Sequence, residues 1–218
     1  MRLEDECTHT FNLQHLMDMC DKGLYPKLSD ICEKVTFNHW AFVGGTDTYE
    51  IRRRHQIQYG FSIVTQELID ELYTYCKGQK IIEVGAGSGW LARGMRMKDH
   101  ALDYTTLDAQ QEGWGWVGEK GVTHSPIDHQ CKYDEIDYSP FNVIISSWPN
   151  YDCPEIDHVV KSLKTGDLFI LCSEGEGGCV GSDSLFELLD EHYKFCNYLE
   201  TDISFPGIRD YWTVYRKK

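Results

Sequence analysis

The chain has nine cysteines but no Cys-x-x-Cys pair, and an odd total. A dispersed, unpaired set excludes a disulfide framework and matches no zinc spacing, the stretch Asp128–Cys131 with Cys153 included. It reads as reduced thiols, mostly small buried hydrophobes, in a reducing compartment. Long apolar runs are missing as well. "NVII" and "LFILC" fall far short of the roughly 20 residues that a membrane helix needs, and "MRLEDEC" lacks a signal-peptide layout. The expectation is a cytoplasmic protein without a membrane partner. Positive charge is the third shortage: 21 Lys and Arg stand against 35 Asp and Glu, a formal net charge of −14. Phosphate contacts dominate nucleic-acid affinity, so this balance disfavours a nucleic-acid partner. Only "IRRRH" at 51–55 concentrates basic residues, and it reads as a solvated helix face or linker.

What the chain does have is enough apolar and aromatic side chain, 41% and 13% of its 218 residues, to bury a core without staples. From about residue 65 the pattern becomes regular. "TQELIDELYTYCKG" puts Leu68, Ile69, Leu72 and Cys76 on one helical face, with Thr65 as N-cap and Gly78 beyond the end. The strand "KIIEV", a glycine turn and a helix from Trp90 follow. "LDYTTLD" is a second strand ending at Asp108, and "GVTHSPI" a weaker third. "FNVIIS" and "DLFILC" are continuous apolar strands of the kind a doubly covered parallel sheet uses. Between them lies a helix with Pro154 in its first turn and Ile156, Val159, Val160 and Leu163 facing inward. A Gly-rich loop leads to a further helix, with Ser184 and Glu187 as its capping box. Strands around "FCNYLE" and "YWTVY" close the chain. Such alternation predicts an α/β fold: a doubly wound, mostly parallel seven-stranded sheet with a terminal antiparallel hairpin. Residues 1–58, with helical pieces in "FNLQHLMDMC" and "LSDICEKV", are expected to form an N-terminal extension or lid, and 59–218 the main domain.

"EVGAGSGW" carries the chemistry. Glycines directly after a strand let backbone turn sharply and approach a ligand closely. A dinucleotide fingerprint would require glycine where Trp90 stands, and a phosphate-binding loop would require Gly-Lys-Ser/Thr. Neither is present, so the ligand expected here is not gripped by phosphate.

Glu83-x-Gly85-x-Gly87-x-Gly89 resembles the cofactor motif of class I S-adenosylmethionine (SAM) dependent methyltransferases, and the resemblance extends over roughly residues 60–218. It implies SAM as cofactor, with Glu83 near the methionine ammonium and Gly85, Ala86, Gly87 and Gly89 lining the site. Asp108 would hold the ribose hydroxyls, and Asp128 would meet the adenine amino group. "SSWPNYD" resembles the [DNS]-P-P-[YFW] loop of amino-methyltransferases without its double proline. The chain as a whole is closer to small stand-alone methyltransferase-like proteins with a "WPPY" loop. The resemblance therefore implies transfer at Ser147, Trp148, Pro149 and Tyr151, with loop carbonyls orienting the nucleophile and an aromatic ring stacking on the acceptor. Glu174 and Glu176 are candidates to bind a cationic substrate or act as base, and Tyr59 and Phe61 to cover the cofactor. The acceptor is a small molecule or a nucleotide-containing compound. A DNA or RNA amino-methyltransferase and a non-catalytic binding module are the alternatives.

Overall fold

The computed structural model describes residues 7–36, 46–109, 122–151, 153–201, 203–205 and 208–218. Six strands form one sheet in the order β4-β3-β5-β6-β8-β7. These are β3 (Lys80–Val84), β4 (Asp103–Leu107), β5 (Val143–Ser147), β6 (Leu168–Ser173), β7 (Tyr193–Tyr198) and β8 (Tyr211–Lys217). Strands β4, β3, β5 and β6 pair in parallel, while β8 runs antiparallel to both β6 and β7.

Successive side chains of a strand point to opposite faces, and both faces here are buried. Ile81, Val143, Ile145, Ile170 and Val214 pack into one cluster with helices α1 (Leu13–Asp21), α4 (Gln66–Cys76) and α5 (Trp90–Lys98). Ile82, Val84, Ile144, Phe169 and Leu171 pack into the other with α6 (Glu155–Ser162) and α7 (Asp183–His192). Leu68, Ile69, Leu72 and Cys76 are the buried face of α4, and the Thr65 hydroxyl accepts from the Leu68 amide. Burying each of those leucines and isoleucines is worth about 1.5–3 kcal/mol, well above the helix's intrinsic propensity.

Three expectations need correction. The third strand is absent among the described residues: residues 122–127 bend at His124 and Ser125 without strand pairing, and one isolated bridge from His129 to Leu107 takes its place. A proline at 126 and serine at 125 interrupt any run long enough to form a ladder. The cap of α7 is Ser182, whose hydroxyl accepts from the Leu185 amide, and not Ser184. Finally, "LSDICEKV" is only half helical. After α2 (Leu28–Ile31) the chain turns into β2 (Cys32–Thr36), which pairs antiparallel with β1 (Cys7–Phe11). The β-branched Val35 and Thr36 favour that outcome. Helix α3 (Thr46–Gln58) then leads towards α4. Leu13, Leu16, Met17, Cys20, Tyr25 and Ile31 belong to the same buried cluster as α4 and α5.

Candidate functional site

Strand order reverses at β3, whose neighbours β4 and β5 lie on either side, so a crevice opens beyond the carboxyl ends of these strands. Val84 passes directly into a turn in which Gly85, Gly87 and Gly89 all have positive φ, of 73°, 55° and 72°. The Gly85 and Ala86 amides both donate to the Leu107 carbonyl, at 2.9 and 3.1 Å, which ties the turn to the end of β4. A Cβ on Gly89 would lie 2.6 Å from the Ser125 carbonyl oxygen, and one on Gly85 2.6 Å from the Tyr133 hydroxyl. At Gly89 a side chain is therefore barred by backbone as well as by φ, while at Gly85 φ disfavours one and the Tyr133 hydroxyl would have to move. Gly89 caps α5 without a side-chain bond, leaving the first helical amides to the crevice.

Two carboxylates end the neighbouring strands. Asp108 Oδ2 accepts from the Gly87 amide at 2.7 Å, so the acid after β4 reaches across to the turn after β3. Glu83 is buried, and its Oε2 accepts from the Tyr104 hydroxyl at 2.9 Å. Burial pushes its carboxyl up to about 8, against the pull of Tyr104 and Arg96.

Asp128 sits differently. Its Oδ2 takes the Thr106 amide and hydroxyl, both at 2.8 Å, and Arg96 Nη2 at 2.6 Å. Burial raises the carboxyl's pKa, but Thr106 and Arg96 together bring it below the usual range. Arg96 also donates to the Ser125 hydroxyl and the Tyr104 carbonyl. Asp128 thus bolts the segment after residue 121 onto β4 and α5.

The loop after β5 is pinned on every side. Trp148 is the one non-glycine with positive φ among the described residues, at 56°. Holding a side chain there costs about 1–2 kcal/mol, which its contacts must supply. Its amide donates to the Cys172 carbonyl at 3.0 Å, its indole Nε1–H donates to Asp210 Oδ2 at 2.7 Å, and its ring stacks on Phe61 at 5.0 Å. Ser147 shares a hydrogen bond with Ser62. The Pro149 carbonyl accepts from the Gly181 amide at 2.9 Å, and Asn150 bridges to Val180. Tyr151 is half exposed.

The remaining candidates divide. Phe61 lies in the site against Trp148. Tyr59 is a core ring: it is buried, stacks on His124 at 5.0 Å, lies 4.9 Å from Trp90 and donates to Asp21 Oδ1 at 2.7 Å. Glu174 closes its own loop by accepting from the Cys179 amide at 3.0 Å, while Glu176 is exposed on that loop. Sequence reading missed Asp210, Tyr133, Tyr104 and Ser62. Asp210 immediately precedes β8, an acid before an aromatic strand; nothing in sequence tells that it faces Trp148.

The crevice residues fit SAM. Ser88 Oγ in the turn and Ser146 Oγ beside Val84 are buried and find no hydrogen-bond partner among the described residues. Buried polar atoms normally have partners, and these two near the end of β3 are compatible with a polar ligand or water beside the turn. Strand-end carboxylates suit ribose hydroxyls and an ammonium, and bare glycine backbone suits a flat nucleoside. Among the described residues no group of His, Cys, Asp and Glu could hold a metal, and no helix is long and apolar enough to cross a membrane.

No protein-family model matches the chain, and no curated protein matches its sequence. Solved structures do resemble it. Magnesium protoporphyrin IX methyltransferase (ChlM) from Synechocystis PCC 6803, crystallised with bound SAM, is 14% identical with a TM-score of 0.50, over 81% of this chain and 99% of that one. Precorrin-6y C5,15-methyltransferase from Geobacter metallireducens is 14% identical with a TM-score of 0.48, over 82% and 100%. The N-methyltransferase NodS from Bradyrhizobium japonicum, in complex with S-adenosylhomocysteine, is 15% identical with a TM-score of 0.47, over 68% and 84%. The sheet order, the glycine turn and the ChlM likeness agree: the chain has the fold of the class I SAM-dependent methyltransferases.

Proposed function

We propose that this chain binds SAM at the Gly85–Gly89 turn and transfers its methyl group to a small or nucleotide-containing acceptor beside Trp148. The observation that carries the reading is the Asp108 carboxylate placed across the turn, 2.7 Å from the Gly87 amide, at the reversal of strand order. Bound SAM supplies an electrophilic methyl on a sulfonium. The chain's task is then alignment: Asp108 to hold hydroxyls, Glu83 to face an ammonium, and the turn to admit the nucleoside. No thiol is needed as an intermediate. The buried cysteines Cys20 and Cys76 have their thiols pushed up to about 12 by burial, which makes them inert.

Amino methylation through the loop carbonyls gains no support, because the Pro149 carbonyl already accepts from Gly181. The aromatic pair Phe61–Trp148 supports a planar acceptor instead, since stacking on such rings is worth about 1–3 kcal/mol.

Thermal melting tests the cofactor. SAM at about 100 times its dissociation constant should add roughly 2.7 kcal/mol of stability. NAD should not. Asp108→Asn keeps an acceptor for the Gly87 amide but removes the charge, and should weaken SAM about 10- to 150-fold by calorimetry. No shift with SAM, or a larger one with NAD, overturns the proposal.

A further inference from the structure

Asp210 plays no part in the cofactor half of the crevice, yet it is the acid most closely bound to the acceptor half. It lies just before Tyr211, which pairs with Ser173 at the carboxyl end of β6, so it stands at the same sheet end as the glycine turn. It is only 6% exposed. Its Oδ2 accepts from Trp148 Nε1–H at 2.7 Å and from the Cys172 thiol at 3.5 Å. Its Oδ1 is buried and has no partner among the described residues. Its backbone carbonyl accepts from the Ser204 hydroxyl at 2.6 Å, which fixes the acid's own position. A buried carboxyl with one oxygen unpaired is expensive, and a hydrophobic side chain would fill the same place at lower cost. Burial accordingly raises its pKa, while Trp148 and Cys172 pull the other way.

Trp148 needs this partner. A bulky residue at φ 56° persists only where its surroundings over-determine it. Phe61 covers one ring face and the Cys172 carbonyl takes its amide, but neither fixes how the indole is turned in its own plane. Among the described residues, the bond to Asp210 is the hydrogen bond that ties the indole N–H, while the core cluster packs against the ring. The ring's orientation in turn sets the exit of the chain into Pro149–Tyr151, whose far end is tied to Gly181 and Val180.

We infer that Asp210 is a positioning residue for the acceptor side of the site, acting through the Trp148 indole to hold the Trp148–Tyr151 loop in its left-handed entry conformation. The inference rests on the proposed methyltransferase reading only for what the loop is used for; the positioning itself is independent of it. Arrangement by a carboxyl also predicts discrimination. An acceptor stacked on Trp148 meets a ring held rigidly, so a variant with a mobile ring should lose acceptor recognition while keeping SAM.

The test is made on the full chain with three variants, Asp210→Asn, Asp210→Leu and Trp148→Phe. Trp148→Phe identifies the Trp148 indole N–H signal in an ¹⁵N correlation spectrum by its disappearance. In the parent protein that signal should be shifted downfield and protected from exchange. Asp210→Leu should move it towards the free-indole position, and amide exchange in the 147–151 segment should quicken about 10-fold or more, the loss of about 1.4 kcal/mol of local protection. Asp210→Asn, which keeps an acceptor oxygen, should restore most of that protection. SAM affinity by calorimetry should stay within about twofold in both, well under the tenfold step of 1.4 kcal/mol. An indole signal unchanged in Asp210→Leu overturns the inference, and so does exchange that quickens uniformly through β5, β6 and β8, because Asp210 would then be a core acid only. If Asp210→Leu does not fold, Asp210→Asn against Trp148→Phe decides the matter: a 147–151 segment as protected in Trp148→Phe, which has no indole N–H, as in Asp210→Asn overturns it. Failure of the parent protein to bind SAM would remove the methyltransferase reading and leave these spectroscopic outcomes standing.

Discussion

Glu83 shows how much a single position can carry. Its place after two apolar strand residues was legible in "KIIEV", as was its nearness to the glycine turn. Its burial and its partner Tyr104 were not, because β4's register against β3, with Glu83 opposite Thr106, exists only once the sheet forms. That burial gives a pH dependence with a definite sign. The folded carboxyl titrates near 8, against an ordinary value of 4.5. Between those limits the native state keeps a proton that the unfolded chain gives up, so native stability falls as pH rises. The contribution is fully present below about 4.5 and gone above about 8. Glu83→Gln keeps an acceptor for Tyr104 and cannot ionise. Urea unfolding of both proteins from pH 4.5 to 9 should show the variant gaining on the parent as pH rises, by on the order of a few kcal/mol in total. Parallel curves would mean that Glu83 is solvated. Asp128 teaches the converse lesson: an acid at the expected place in the chain has most of its bonding taken by Arg96 and Thr106.

At the scale of elements, the sequence was most readable where one face is apolar and one is not. Helix α4 follows its pattern from the Thr65 cap to Cys76. Helix α3 did not announce itself, because "TDTYEIRRRHQIQ" has no apolar stripe, and it is held instead by individual polar contacts. Arg54 pairs with Asp21, and the Gln58 carbonyl meets His124 Nε2 at 2.9 Å. His55 is fully buried, with Nδ1 3.0 Å from the Gly60 carbonyl and its ring 5.1 Å from that of Phe205. Burial pushes its pKa down from 6.5 to about 4, so it stays neutral in the native state. Here the unfolded chain binds the extra proton. Stability is present above 6.5 and is lost as pH falls towards 4, the opposite sign to Glu83 in an overlapping window. Raw stability curves would blur the two. The difference between parent and His55→Gln isolates one: the gap should narrow on acidification from 7 to 4 by on the order of a few kcal/mol. A constant gap would place the imidazole in contact with water.

For the whole molecule, strand–helix alternation made the α/β class legible, while the order of strands did not follow from periodicity. Nothing in "YWTVY" says that β8 inserts between β6 and β7, and nothing in the sequence says that Asp108 accepts from the Gly87 amide. Net charge is legible at this scale alone, and it bears on the choice of acceptor. With −14 overall, the chain repels a polyanion at long range unless a basic groove opposes it. Within the densest basic run the Arg54 charge is offset by Asp21, and Arg52 lies over the Tyr49 ring at 5.4 Å. Non-specific duplex binders show dissociation constants of about 10⁻⁴–10⁻⁶ M and weaken steeply with salt. Fluorescence anisotropy with a labelled duplex DNA and a labelled single-stranded RNA, at low salt, should therefore show no saturation up to about 100 μM of this protein. A free nucleoside carries one base to stack on Trp148 and no phosphate backbone to repel, so it escapes this penalty and remains within the proposed acceptor class. Saturable binding of either nucleic acid in the micromolar range, falling linearly on a log–log plot against salt, would reverse the preference for small acceptors and make a nucleic-acid base the methyl acceptor to pursue.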